Sequence, residues 1–215
     1  LIHRATEALE AGGVIVYPTD TVYGIGCDIT NKNAIERIQR IKGRDAKKPM
    51  SFVCADVADI STYAQVSKFA FRLLKRLLPG PFTFVLPATK ETPRVLRSKQ
   101  KTVGVRIPDH SVTTALVQQL GRPLLSTSAN RSTEDVLTDP VDLERELGPQ
   151  VDMILECGIL PVQPSTVVSL LDDEIQILRQ GKGESWLRQR LQTFHRQTFH
   201  PLASLPRRSS HHTIH

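Results

Sequence analysis

Residues 12–26 read GGVIVYPTDTVYGIG, and the fold is decided by how this stretch is read. Val14–Tyr17 is an apolar, β-branched run between a glycine pair and Pro18, which predicts a strand that stops abruptly. Pro18 fixes φ and has no N–H to donate, so the chain turns there. Thr19, Asp20 and Thr21 follow, then Tyr23 and the spaced glycines Gly24 and Gly26. Two hydroxyls and a carboxylate at a strand end, beside glycines that permit close backbone approach, suit a ligand site in an α/β protein. Read alone, the stretch fits a polar turn between two core strands equally well.

Working outward, His3–Ala11 predicts an amphipathic opening helix, and a second strand is expected over Val22–Cys27. Ala34, Ile35, Ile38 and Ile41 recur at the 3–4 spacing of a helix packed on a sheet. Met50–Ala55 reads as a strand, Ser67–Leu78 as a helix closed by Pro79-Gly80-Pro81, and Phe82–Pro87 and Thr102–Ile107 as strands. Val112–Leu120 is helical in pattern, and Pro123–Ser126 leads a strand into Thr127-Ser128-Ala129-Asn130. A helix at Asp142–Leu147, a strand at Val151–Leu155, a hairpin of Val167–Leu171 and Ile175–Leu178, and a helix at Trp186–Leu191 complete the series. Strands interleaved with helices, plus a hairpin, predict an α/β (α+β) fold with one mixed sheet and helices on its faces.

The 215 residues are 40% hydrophobic and 23% charged, a balance that fits one globular domain over residues 1–186. No apolar stretch is long enough to span a membrane, and no signal peptide opens the chain. The three cysteines, Cys27, Cys54 and Cys157, make no metal or disulfide spacing and read as reduced residues of a cytoplasmic protein. Residues 187–215 hold five Arg and no acidic residue, so the formal charge of +6 falls to +1 without them. This His-, Arg- and Ser-rich tail has no period from Thr193 onward and reads as disordered.

Within the body, cations cluster in three groups: Arg37, Arg40, Lys42, Arg44, Lys47 and Lys48; Lys68, Arg72, Lys75 and Arg76; and Lys90, Arg94, Arg97, Lys99 and Lys101. Residues 134–156 are mainly acidic. A field divided in this way suits a polyanion such as a nucleoside triphosphate or RNA, although solvated helix faces account for the second group equally well. Ligand-capable groups also recur where strands end: Thr19-Asp20-Thr21, Lys42-Gly43-Arg44, Arg106, Ser128-Ala129-Asn130, Ser165-Thr166 and Arg179-Gln180-Gly181. Arg forks bind phosphate or carboxylate, and hydroxyls and Asn orient a ligand. There is no Walker loop, and a GxG at 24–26 is weak on its own. The body has only His3 and His110, so fixed cations fit the chemistry better than a histidine base.

The ordered set GGVIVYPTDTVYGIG (12–26), KGRDAKKP (42–49), PGPFTFVL (79–86), TVGVRIP (102–108), STSAN (126–130), PSTVVSL (164–170) and LRQG (178–181) resembles the YrdC/YciO family, which includes the threonylcarbamoyl-AMP synthases of tRNA modification. The resemblance implies a mixed, twisted sheet with a positively charged cleft. It also implies that L-threonine and bicarbonate form a carbamate that attacks the α-phosphate of ATP, with Mg²⁺ on the triphosphate. By position, Thr19, Thr21 and Arg106 would hold the amino acid. Lys42, Arg44 and Lys48 would face the triphosphate, with Lys42 and Arg44 as the catalytic cations. Ser128 and Asn130 would meet the nucleotide, and Thr102, Ser165 and Arg179 would line the same cleft.

One position departs from the synthases, which carry a His where this chain has Val53. The wording around it resembles the YciO-like branch, yet both the KxR and the Ser-x-Asn elements are kept. The chain reads as lacking the extra C-terminal domain of longer relatives. Two functions follow: a synthase-like enzyme supplying partner proteins of tRNA modification, or a binder of tRNA or double-stranded RNA with little or no catalysis. Neither involves a membrane.

Overall fold

A computed structural model describes residues 1–43, 50–131 and 134–198, with side chains described up to residue 191 apart from Val95. Residues 1–183 form one unit and residues from Glu184 onward a second. The first runs α1 (Ile2–Glu10), β1 (Ile15–Tyr17), β2 (Gly24–Asp28), α2 (Lys32–Lys42), β3 (Ser51–Val53), α3 (Val57–Tyr63), α4 (Lys68–Leu77), β4 (Phe82–Pro87), β5 (Thr102–Arg106), α5 (Ser111–Leu120), β6 (Leu124–Ser128), α6 (Pro140–Leu147), β7 (Met153–Ile154), β8 (Thr166–Ser169) and β9 (Gln176–Arg179). The described strands make a nine-stranded mixed sheet in the order β7-β1-β2-β6-β3-β5-β4-β8-β9.

Register sorts the side chains onto two faces, because paired residues in neighbouring strands point the same way. Val16, Ile25, Leu125 and Phe52 share one face, as do Val105 and Phe84 through their pairing with Phe52. Phe52 meets Tyr63 of α3 edge-on, with ring centroids 5.4 Å apart. The opposite face carries Ile15, Tyr17, Val53 and Leu124 in one buried cluster with Ala5 and Leu9 of α1 and Leu116, Val117 and Leu120 of α5. On that same face lie Gly24, Gly26, Ser51, Gly104, Arg106, Ser126 and Ser128. One half of this face is therefore packed with aliphatic side chains and the other is built from small and polar ones.

Most expected elements are present, with shifted ends. The second strand begins at Gly24 rather than Val22, because Val22 and Tyr23 belong to the turn. The strand expected at Met50–Ala55 is the shorter Ser51–Val53, and that expected at Val151–Leu155 is Met153–Ile154. β6 continues to Ser128, so the first residue of the Ser-x-Asn element is on a strand. The helix α3 was not expected; it has seven residues, and the Asp56 side chain accepts from Asp59 N to cap it. The hairpin of β8 and β9 turns through Asp172 and Asp173, both with positive φ. Asp tolerates that conformation better than most residues.

In the second unit, α7 spans Glu184–Thr198. The helix expected at Trp186–Leu191 thus takes in the first part of the stretch read as tail, and residues 199–215 lie outside the described residues. Glu184 pairs with Arg188 one turn on, at 2.6 Å, and Arg190 lies 4.9 Å from the Trp186 ring. Both are spacings that support a helix.

Candidate functional site

The turn after β1 is held by its own hydroxyls. Thr19 Oγ1 donates to Val22 O at 2.6 Å and accepts from Thr21 N and Val22 N. Its one proton is thereby used, so in the 3.0 Å contact between the two hydroxyls Thr21 is the donor. Thr21 Oγ1 in turn accepts from Arg106 Nη2 at 3.1 Å. Thr113 on α5 donates to Pro18 O, which ties the turn to that helix. The sequence reading offered both threonines as ligand contacts; the structure buries them and uses them to seat Arg106.

Asp20, one of the ligand-capable groups expected at this strand end, is the direct partner of Arg106. Its Oδ1 lies 3.0 Å from Arg106 Nη2, and the two side chains are only 7% and 11% exposed. Asp20 Oδ2 accepts from Asp109 N, and the Asp20 carbonyl accepts from Lys182 Nζ. Burial pulls the Arg106 guanidinium below its ordinary range, opposed by Asp20 and Tyr17. It stays a cation at any ordinary pH. Arg106 Nε is buried without a hydrogen-bond partner among the described residues, as is His110 Nδ1.

Ser165 and Arg179 form a neighbouring clasp. Arg179 Nη2 donates to both the carbonyl and the hydroxyl of Ser165, and the Ser165 hydroxyl meets Thr83 Oγ1 at 2.9 Å. The charge of Arg179 also acts on Arg106, a smaller pull in the same direction as burial. Thr102 stands apart. It lies at the other end of β5, about 13 Å from Arg106 by strand rise, and its hydroxyl pairs with Ser98 Oγ at 2.7 Å.

A third knot joins Lys42 to the Ser-x-Asn element. Lys42 Nζ donates to Ser128 O at 2.7 Å, Asn130 O at 2.5 Å and Asn130 Oδ1 at 2.8 Å. Ser128 Oγ also donates to Asn130 Oδ1, and Asn130 Nδ2 donates to Glu134 O. Lys42 and Asn130 are both 7% exposed. The sequence reading set Lys42 against a triphosphate; the structure brings it to the loop that carries Ser128 and Asn130. Arg44 and Lys48 lie outside the described residues.

Between these groups sits Tyr17, fully buried. Its hydroxyl donates to Ser126 Oγ at 2.6 Å, and burial pushes its pKa up to about 12. A Cβ on Gly26 would come within 2.9 Å of the Tyr17 ring, and one on Gly24 within 3.3 Å. The spaced glycines therefore make room for the Tyr17 ring. Val53 is fully buried in the aliphatic cluster and is in register with Arg106. Among the described residues no group of three or more His, Cys, Asp or Glu could hold a metal, and no helix is long and apolar enough to cross a membrane.

Comparison with known proteins gives the family. The sequence profile of the Sua5/YciO/YrdC family, described as "Telomere recombination", matches residues 7–181. The chain belongs to that family. It is 44% identical to the uncharacterized protein YciO of Escherichia coli over 186 residues, 86% of this chain and 90% of that one. It is 34% identical to the threonylcarbamoyl-AMP synthase of Vibrio vulnificus, covering 84% of this chain and 98% of the relative. Among solved structures, E. coli YciO matches with a TM-score of 0.81 at 42% identity, over 86% of this chain and 91% of that one. P. abyssi Sua5 complexed with L-threonine matches with a TM-score of 0.79 at 32% identity, over 84% of this chain and 54% of Sua5.

Proposed function

We propose that the chain is an ATP-dependent, L-threonylcarbamoyladenylate synthase-like enzyme. The observation that carries this reading is the pairing of two built sites on one domain: the Arg106 seat and the Lys42–Ser128–Asn130 knot. It is supported by the synthase relatives and by the threonine complex of Sua5. In the reaction, the amine of threonine and bicarbonate give a carbamate with loss of water. A carbamate oxygen then forms a bond to the α-phosphorus of ATP, and the bond to the pyrophosphate leaving group breaks. This chemistry needs positioning and charge neutralisation rather than a nucleophilic side chain.

In this reading Arg106 pairs with the amino-acid carboxylate, and Ser165 and Arg179 lie alongside. Ser128 and Asn130 meet the nucleotide from the loop that Lys42 holds, and Arg44 and Lys48 are assigned to the triphosphate by position. Magnesium fits as an ion carried on the triphosphate by phosphate oxygens and water. The product would pass to the proteins that modify tRNA. The test is incubation with ATP, labelled bicarbonate and each amino acid in turn, with any adenylate separated by chromatography. Pyrophosphate release that requires both bicarbonate and threonine is expected, falling about a hundredfold or more in Arg106→Ala. Release that ignores the amino acid would sink the reading.

A second reading, RNA binding, is favoured by one feature of α4. Lys68, Arg72, Lys75 and Arg76 are exposed there, and the half-exposed Phe71 lines an open depression of about 490 Å³ with Lys68, Arg72 and Val66. Binding of tRNA that weakens steeply with salt and is lost on charge reversal at Lys68 and Arg72 would support it.

A further inference from the structure

Arg106 and Asp20 present a fixed dipole, and what each group has left to offer defines a ligand. Arg106 Nη2 spends its two protons on Asp20 Oδ1 and Thr21 Oγ1. Nη1 and the partnerless Nε remain as donors on the guanidinium. On Asp20, Oδ1 takes the guanidinium and Oδ2 takes Asp109 N. An ionised carboxylate has about four lone-pair positions, so each oxygen keeps one. Donors and acceptors of opposite charge thus stand side by side, with the charged atoms 3.0 Å apart.

An α-amino acid zwitterion has the matching dimensions. Its ammonium nitrogen and carboxyl carbon are roughly 2.5 Å apart by standard bond lengths and angle. Laid antiparallel to the pair, its carboxylate meets Arg106 and its ammonium meets Asp20, so each charge gains an opposite one in a largely desolvated place. Asp20 is the carboxylate paired with Arg106, so it offers the ammonium an opposite charge. Thr19 and Thr21 are engaged with each other, and the strand position in register with Arg106 is the apolar Val53. Lys182 meanwhile fixes the Asp20 backbone through its carbonyl.

We propose that this end of the site recognises a zwitterionic α-amino acid by both charges, with Asp20 as the acceptor for its ammonium. Asp20 then determines preference for amino acids over carboxylic acids of the same shape that lack the amine. The proposal rests on the amino-acid reading above and adds the group that receives the nitrogen.

The test measures binding of L-threonine, 2,3-dihydroxybutyrate and N-acetyl-L-threonine to the full chain by calorimetry, in the parent, Asp20→Asn and Asp20→Glu. The parent should bind threonine about ten- to a hundredfold more tightly than either analogue. Asp20→Asn should bring threonine and dihydroxybutyrate within about threefold of each other, and Asp20→Glu should restore part of the preference. A parent that binds dihydroxybutyrate as tightly as threonine overturns the proposal without any variant having to fold. So does a folded Asp20→Asn protein that keeps the parent's ratio, and in both cases the amino-acid reading stands. Binding of none of the three to the parent overturns the amino-acid reading and the proposal together.

Discussion

The Arg106 seat and the Lys42 knot hold a buried cation in different ways. At Arg106 the described partners are a carboxylate and a hydroxyl, and one ring of charge is closed locally by Asp20. At Lys42 the partners include three amide oxygens of a single loop, so the ammonium fixes the shape of that loop. On the proposed reading, the first arrangement sets which charges a ligand must bring. The second sets where Ser128 and Asn130 stand. A substitution at the first should change selectivity; one at the second should dismantle a binding element.

Lys42→Met is the largest expected effect and the sharpest way to break this contrast. It keeps an aliphatic stem and removes all three donors. Hydrogen bonds from a charged group contribute about 1.5–3 kcal/mol each, less than additively when they share one loop. A stability loss of about 3 kcal/mol is expected in denaturant melts, together with at least a hundredfold loss of amino-acid-dependent pyrophosphate release. Full stability with lost activity would place the ammonium on the ligand instead, and the two sites would no longer differ in kind.

The contrast also shows what the sequence could reveal. Arg106, Ser128, Asn130, Ser165 and Arg179 stood out because cations and hydroxyls at strand ends suit ligand binding whatever the strand order. Their partners were hidden by distance along the chain. Asp20 and Arg106 are 86 residues apart, and Lys42 and Asn130 are 88. Each contact exists only because the sheet places β2 beside β6 and β3 beside β5, an order that periodicity does not encode. The strands and most helices could be read from apolar spacing. The seven-residue α3 was missed because two turns are too short to show a period, and its only local mark is the Asp56 cap.

A second ion pair with a buried carboxylate, remote in role from both sites, calibrates the comparison. Asp28 accepts from Arg122 and from Thr30 N and Oγ1. Burial would push its carboxyl up, but those bonds outweigh it and hold the pKa below the ordinary value. A lowered folded-state pKa means that the stabilisation is fully present above the unfolded value of about 3.9 and is lost as pH falls through the folded one. Arg122 is 34% exposed, so Asp28→Asn should cost about 1–3 kcal/mol at neutral pH. The gap to the parent should close in melts below about pH 4. A gap that persists in acid would assign the loss to packing rather than charge. Ligand binding at both sites should be unchanged throughout.

Tyr17→Phe is the smallest expected effect and asks whether the two sites communicate. The phenol stays protonated below its pKa of about 12 and donates to Ser126 Oγ, two residues before Ser128 on β6. Its ring lies against Gly24 and Gly26, while electrostatically it faces Arg106. Phe keeps the ring and removes one buried hydrogen bond, a loss of about 1 kcal/mol in denaturant melts. Because the ring still fills the space above the glycines, β2 and β6 keep their pairing, and threonine and ATP should each bind within about twofold of the parent. If ATP affinity alone falls, the Tyr17–Ser126 bond belongs to the support of the Ser128–Asn130 loop. If threonine affinity alone falls, the phenol acts through the field at Arg106. Either result would join to one site a residue that the geometry leaves between them.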